Sequence, residues 1–267
     1  MARIAIKIVI VACVLYVLIW VLLILFQEKL IFMPSELPQD YKYEFSYDFK
    51  ELYLESHDGK ARLNALHFKV NSPKGIVVYY HGNAGQLADW GHVVQDFAES
   101  GYDVLVVDYR GYGKSTGKLS EKALYSDALL FYNYALERYP ENNIVVYGRS
   151  LGTTFATYVA AKNNPSKLFL EAPFYSMKYL VQQKFPIFPV TWSLRYHFPT
   201  DEFIKEVSCP IVIFHGMNDT MIDIENSKKL AALIPEDQLR FISIPNGGHN
   251  DLVNELGYRE AIDSLLH

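Results

Sequence analysis

"NIVVYGRSLGTTFATYVAAKN" (143–163) is the stretch on which the reading of the whole chain turns. Ile144 to Tyr147 are strand formers in an unbroken apolar run, as in a strand buried on both faces of a sheet. Gly148 and Gly152 flank Ser150, and an alanine-rich stretch of helix length follows. A Gly-x-Ser-x-Gly turn between strand and helix has a mechanical reason. The turn is so tight that side chains at the flanking positions would collide with neighbouring backbone. The serine Oγ is then held exposed above the sheet, with helix amides aimed at any oxyanion that develops there. The bland alternative is a loop serine in a short motif that arises by chance, so Ser150 needs partners elsewhere.

Working outward, further apolar runs lie at 76–80, 104–109, 168–172, 211–216 and 241–245. Helix-length segments separate them at 86–99, 120–138, 151–162, 224–234 and 254–266. In the second of these, Leu124, Ala128, Phe131, Tyr132 and Ala135 recur at three- and four-residue steps and give one apolar side. Ahead of the first run, "ELYLES" and "RLNALHFKV", joined by "HDGK", alternate like an antiparallel pair with one solvated side. Strands alternating with helices after an antiparallel start predict one doubly wound α/β domain over 50–267. Reactive groups then belong at the carboxyl ends of strands.

A serine needs a base to become a useful nucleophile. His249, in "SIPNGGHNDLV", follows the last strand on a loop that two glycines allow to pack closely. His57, His67 and His92 read as turn, strand-face and helix-surface residues, His197 lies in an aromatic segment and His267 is terminal. His81 and His215 end strands just before glycines, where structural hydrogen bonding is the natural role. The base in turn needs an acid to fix its tautomer. Asp219, in "IVIFHGMNDTMI", stands just beyond the penultimate strand. Asp223 reads better as the start of the next helix, Asp251 is close in sequence to His249, and Glu171 is a further candidate. Of the two oxyanion N–H groups expected, one belongs to Leu151. The other belongs to the loop "YYHGNAGQ", with Asn83 first and Ala84 second.

The N-terminus is of another kind. Ile8 to Phe26 are nineteen residues without a charge, and as a helix they span roughly 28 Å, close to the thickness of a bilayer's hydrocarbon. A core helix is rarely apolar on every face. A signal peptide, suggested by the basic Arg3 and Lys7, would want a small-x-small cleavage site that is missing before "QEK". Residues 1–29 are therefore expected to be a membrane anchor. Residues 30–49 are expected to be a juxtamembrane connector, with Phe32, Tyr41 and Tyr43 at headgroup level. Arg3 and Lys7 tilt the orientation toward a cytoplasmic N-terminus and a translocated domain, the periplasm in a bacterial inner membrane. A net charge of −5 gives no basic footprint for nucleic acid, and the two cysteines match no zinc spacing.

With these motifs in order, the chain resembles the α/β-hydrolases, and most of all the membrane-anchored serine hydrolases. The motifs are "HGNAG" (81–85), "DYRGYGKSTG" (108–117), "GRSLG" (148–152), "HGMND" (215–219) and "GGHND" (247–251), in a resemblance that covers about 50–267. It implies a mostly parallel eight-stranded sheet with helices on both faces, Ser150 as nucleophile, Asp219 as acid and His249 as base. It also implies ester, thioester or peptidase-like hydrolysis without a cofactor or metal. Gln86 and Thr153 depart from the commonest form of the motifs, and Asp108 and Arg110 read as braces of their loop. The aromatic segment 173–204, beginning with Phe174 and Tyr175, is expected either to form a short lid with an apolar acyl pocket or simply to pack over the sheet. An acyl ester or thioester, with lipid-like ones among the candidates, is the expected substrate. A non-catalytic, membrane-tethered binding protein on the same fold is the rival from another class.

Overall fold

The alternating runs become nineteen elements in a computed structural model that describes residues 1–266. His267, set aside above as terminal, lies outside the described residues. In chain order they begin α1 (Ala2–Ile31), β1 (Met33–Pro34), β2 (Phe49–Glu55), β3 (Arg62–Phe68), β4 (Ile76–Tyr80) and β5 (Ala84–Gly85). Next come α2 (Leu87–Val93), α3 (Gln95–Glu99), β6 (Asp103–Val107), α4 (Glu121–Leu136), β7 (Ile144–Arg149) and α5 (Gly152–Lys162). The chain finishes with β8 (Lys167–Glu171), α6 (Met177–Lys184), α7 (Thr200–Phe203), β9 (Ile211–Gly216), α8 (Glu225–Ala231), β10 (Leu239–Ile244) and α9 (Leu256–Leu266).

Eight strands form one sheet in the order β10-β9-β8-β7-β4-β6-β3-β2. Every pairing is parallel except β2 with β3 and β3 with β6. Side chains alternate across a strand, and β4 uses both faces. Ile76, Val78 and Tyr80 join a core with residues of α4 and α5, while Val77 and Tyr79 join a second core with residues of α2, α3 and α9. This is the expected mostly parallel sheet with helices on both faces.

Three expectations change. The hairpin has no solvated side along β3, because Leu63 and Ala65 join one core and Leu66 and Phe68 the other, and only its first residue is exposed. Its polar residues are therefore satisfied inside. Asn64 takes a hydrogen bond from Tyr43 (2.9 Å) and donates to Glu51 (2.9 Å), and His67 contacts Tyr134 (3.0 Å) and Asp103 (3.2 Å). The helix expected over 86–99 is two short ones meeting at Val94.

The connector is the third. The apolar helix α1 runs on to Ile31, and the chain after it is woven into the domain. β1 pairs in parallel with β5, inside the "HGNAG" loop. Backbone hydrogen bonds also join Gly113 N to Ser35 O (2.9 Å) and Leu37 N to Gly113 O (2.9 Å). Phe32 and Tyr43 are consequently core residues rather than headgroup anchors, and only Tyr41 of the three is exposed. Phe32 packs edge-on against Tyr196 at 4.9 Å.

Candidate active site

β7 delivers Ser150 into a left-handed conformation, φ 51°, between its last residue and α5. Such a backbone costs energy in a residue with a side chain and is held only where its surroundings enforce it. Here the Ser150 amide donates to Glu171 O (2.8 Å), and its carbonyl accepts from the Thr153 amide (3.0 Å) and hydroxyl (2.6 Å). Thr153, a departure from the usual motif, thus tightens the turn instead of loosening it. The glycine requirement is one of space. A Cβ on Gly152 would lie 1.9 Å from Tyr80 O, so α5 can start this close to β4 only without one.

The three residues singled out in the sequence meet above the strand ends. His249 Nε2 is 3.0 Å from Ser150 Oγ, and His249 Nδ1 is 2.7 Å from Asp219 Oδ2. The other carboxylate oxygen of Asp219 accepts from the amides of Met221 and Ile222, each at 2.8 Å. Burial opposes ionisation of Asp219, but contacts with His215 and His249 and the Ile222 amide outweigh it. They hold the carboxyl well below its ordinary value. His215 is fully buried behind the acid, 3.4 Å from Asp219 Oδ2, and also contacts Ile222 O (2.9 Å) and Ser227 Oγ (2.5 Å).

The rival acids are engaged elsewhere. Asp223 accepts from Glu225 N (2.8 Å) at the start of α8, and Asp251 accepts from Gly248 N (2.6 Å). Glu171 pairs with Arg149 (3.1 Å) and accepts from Tyr147 (2.6 Å). That makes Arg149 a residue the sequence reading missed. Its guanidinium donates to His249 O (3.2 Å) and so ties the base-bearing loop to the strand that carries the serine. The available signal was an arginine inside the glycine turn.

The loop facing Ser150 is braced from several sides. His81 Nδ1 lies 2.7 Å from Gly82 O, which fixes the peptide unit whose N–H belongs to Asn83. Asn83 O accepts from Met33 N (2.8 Å) and the Tyr112 hydroxyl (2.7 Å), while Asn83 Nδ2 donates to Ile31 O (3.1 Å). Asp108 and Arg110 brace separately and not as a pair. Asp108 faces His81 at 3.3 Å, with burial pushing its carboxyl pKa up, and Arg110 bridges Asp127 (2.6 Å) and Asp58 (3.0 Å). Gln86 begins α2, its Oε1 accepting from Ala88 N.

A cavity of about 180 Å3 opens over Ser150, with Leu151 and Asn83 on its wall. Phe174 lines it as expected, but Tyr175 does not. The Tyr175 amide lies against Asn226 (3.3 Å) and its ring against Tyr179 (5.5 Å), outside the cavity. The rest of the lining is mostly apolar and comes from α6 and Phe185 just after it, from Ile222 beyond Asp219, and from Leu30 and Ile31 at the end of α1. Nothing in the sequence alone put the N-terminal helix in the site. Among the described residues, no group of three or more His, Cys, Asp or Glu side chains is disposed to hold a metal ion.

Residues 71–203 match the family described as "Serine aminopeptidase, S33". A putative alpha/beta hydrolase of Acanthamoeba polyphaga mimivirus is 27% identical over 247 residues, covering 88% of this chain and 92% of the viral protein. The lysophosphatidylserine lipase ABHD12 of Danio rerio is 30% identical over 188 residues, 61% of this chain and 48% of that longer protein. Of solved structures, a Pyrococcus furiosus esterase superposes with a TM-score of 0.70 at 17% identity, covering 88% of this chain and 96% of its own. At that identity the likeness is one of fold.

Proposed function

The chain belongs to the α/β-hydrolase superfamily, and we propose that it is a membrane-anchored serine hydrolase of carboxylic esters or thioesters with an apolar acyl group. The observation that carries this reading is the hydrogen-bonded run from Asp219 through His249 to Ser150, opening on an apolar cavity. His249 Nε2 takes the Ser150 proton as Oγ adds to the carbonyl carbon, and the carbonyl oxygen becomes an oxyanion received by the Leu151 and Asn83 amides. Collapse breaks the bond to the alcohol or thiol, which leaves with the proton from His249, and Ser150 stays acylated. Water then gives His249 a proton and adds in turn. The carboxylic acid departs and Oγ recovers its hydrogen. Asp219 remains ionised throughout and stabilises the imidazolium.

The family model's name favours a second reading, removal of N-terminal residues from peptides. Such a substrate brings an ammonium group that wants a carboxylate, and none lines this cavity. An ester fits better.

The test is labelling by a fluorophosphonate probe followed by turnover of p-nitrophenyl esters, a thioester and an aminoacyl anilide. Wild type should label and Ser150→Ala should not, with hydrolysis falling roughly 10⁴- to 10⁶-fold. Equal labelling of the two would remove the enzyme reading and leave a binding protein. Faster anilide than ester turnover would favour the peptidase. For the anchor, the N-terminus is assigned to the cytoplasm on Arg3 and Lys7. A C-terminal reporter active only in the cytoplasm would reverse that assignment.

A further inference from the structure

Apart from Gln27 the anchor helix has no buried residue, yet one side of it is not alone. The segment after α6 runs back along its apolar stretch. The Tyr16 hydroxyl donates to Ile187 O (2.7 Å), and the Tyr16 ring stacks on Phe188 at 4.9 Å. Gln27 donates to Ser193 O (3.2 Å) and accepts from Arg195 N (2.8 Å), and Tyr196 donates to Glu28 (2.8 Å). Tyr16 is ten residues before Phe26, about 15 Å along the helix and half the thickness of the hydrocarbon. A backbone carbonyl at that depth has no water to bond, and the Tyr16 hydroxyl supplies its partner. Beside it, Ile187 is 70% and Trp192 87% exposed, a surface suited to lipid and not to water.

The space between these two elements leads to the serine. The cavity over Ser150 reaches Leu30, Ile31, Val181 and Phe185. A second cavity, of about 50 Å3, shares those four residues and continues to Leu23 and Ile24 of the anchor. Leu23 and Ile24 belong to the uncharged stretch 8–26, so the far end of the cleft lies in hydrocarbon. Both spaces, about 180 Å3 and about 50 Å3, are narrower than the roughly 300 Å3 at which sites for small molecules usually begin.

Resting on the serine-hydrolase reading above, we propose that this cleft is a lateral entrance for the acyl chain of a bilayer ester. The anchor helix is then one wall of the acyl site, and Ile31, Leu30 and Ile24 set chain-length preference in that order from the serine. The chain passes from hydrocarbon to an apolar cleft without crossing water, so the desolvation that drives binding of a dissolved ester is not needed. The carbonyl stops at Ser150, where Asn83 and Leu151 turn the cleft polar.

The experiment uses the full chain in phosphatidylcholine vesicles, with p-nitrophenyl acetate in solution and p-nitrophenyl palmitate in the bilayer. Ile24→Trp fills the far end and should lower the palmitate-to-acetate ratio of kcat/KM at least tenfold. A thermal melt matching that of wild type reports that the variant is folded. Ile31→Trp, nearer the serine, should lower octanoate turnover as well. An unchanged palmitate-to-acetate ratio in Ile24→Trp overturns the entrance, whereas wild type that neither labels nor turns over overturns the hydrolase reading alone. For that case, a palmitoyl ester with a diazirine near its chain end is irradiated in vesicles with Ser150→Ala. Crosslinks should fall within 23–31 and 177–185 and be suppressed by Ile24→Trp. Crosslinks elsewhere sink the route whether or not turnover exists.

Discussion

The two sides of the cavity over Ser150 are held by different forces. On one side, Ser150, Asp219 and His249 stand at the ends of β7, β9 and β10, fixed by short hydrogen bonds to backbone and to one another. On the other side, Leu30, Ile31, Leu180, Val181 and Phe185 come from two helices that lie outside the sheet. Directional bonds fix distances to a fraction of an ångström, while apolar contacts fix only shape and volume. In the proposed reading the sheet side governs whether any bond is cleaved, and the helix side governs which acyl chain is presented. Substitutions on the first should lower every substrate together, and those on the second should change the ratio between substrates.

The largest break should come from Asp219→Asn. The amide cannot hold the same His249 tautomer or stabilise the imidazolium, so kcat should drop about 10³- to 10⁴-fold. Acetate and palmitate should fall by the same factor, read from initial rates on both. A selective loss on one ester would mean that Asp219 also shapes the acyl side.

That division also explains what a reader of the sequence alone can and cannot see. The meeting of Ser150, Asp219 and His249 is legible because the proposed chemistry demands particular residue types, and strand ends followed by turns are where such residues stand. Gly148 and Gly152 are legible for the same reason, since the Tyr80 carbonyl leaves no room for a Cβ on Gly152. Leu30 and Ile31 are not, because any apolar residue at the end of an anchor looks alike until something is docked against it. The pairing of β1 with β5 is carried by backbone groups, which leave little mark on residue type, so 30–49 reads as a formless connector. Tyr175 shows the converse. An aromatic residue beside Phe174 looks like pocket lining, but the turn before α6 points its ring to Tyr179.

A smaller effect should come from a residue on neither side. His67 lies fully buried on β3, and burial, with Lys69 close by, lowers its pKa from 6.5 to about 4 despite the opposing pull of Asp103. Between those values the unfolded chain binds a proton that the folded chain refuses. Stability therefore rises with pH across that window and is lost as pH falls from 6.5 toward 4. The full span is worth up to about 3 kcal/mol. Thermal melts of detergent-solubilised full chain at pH 7, 5.5 and 4 should show a flatter acid slope for His67→Gln than for wild type. The palmitate-to-acetate ratio at pH 7 should stay where it is, as expected of a residue remote from both sides. A parallel acid slope in the two proteins would mean that His67 is not the titrating group.

The finest test sits where the two sides join. Asn83 offers its backbone N–H to the oxyanion in the proposed mechanism, and its side chain holds the carbonyl of Ile31, the last residue of α1 (3.1 Å). Asn83→Ala keeps the backbone amide, which His81 still fixes through Gly82 O, and removes only the tie to the helix. One such hydrogen bond is worth about 0.5–1.5 kcal/mol, so rates should fall by roughly two- to tenfold. If the tie serves the acyl wall, palmitate kcat/KM falls by that factor while acetate holds, because the end of α1 shifts and the amide does not. If acetate falls equally, the side chain is positioning the oxyanion loop and Asn83 belongs wholly to the sheet side. The expected outcome is the selective one, since β1 pairing and the Tyr112 hydroxyl still hold the loop backbone when the side chain is gone.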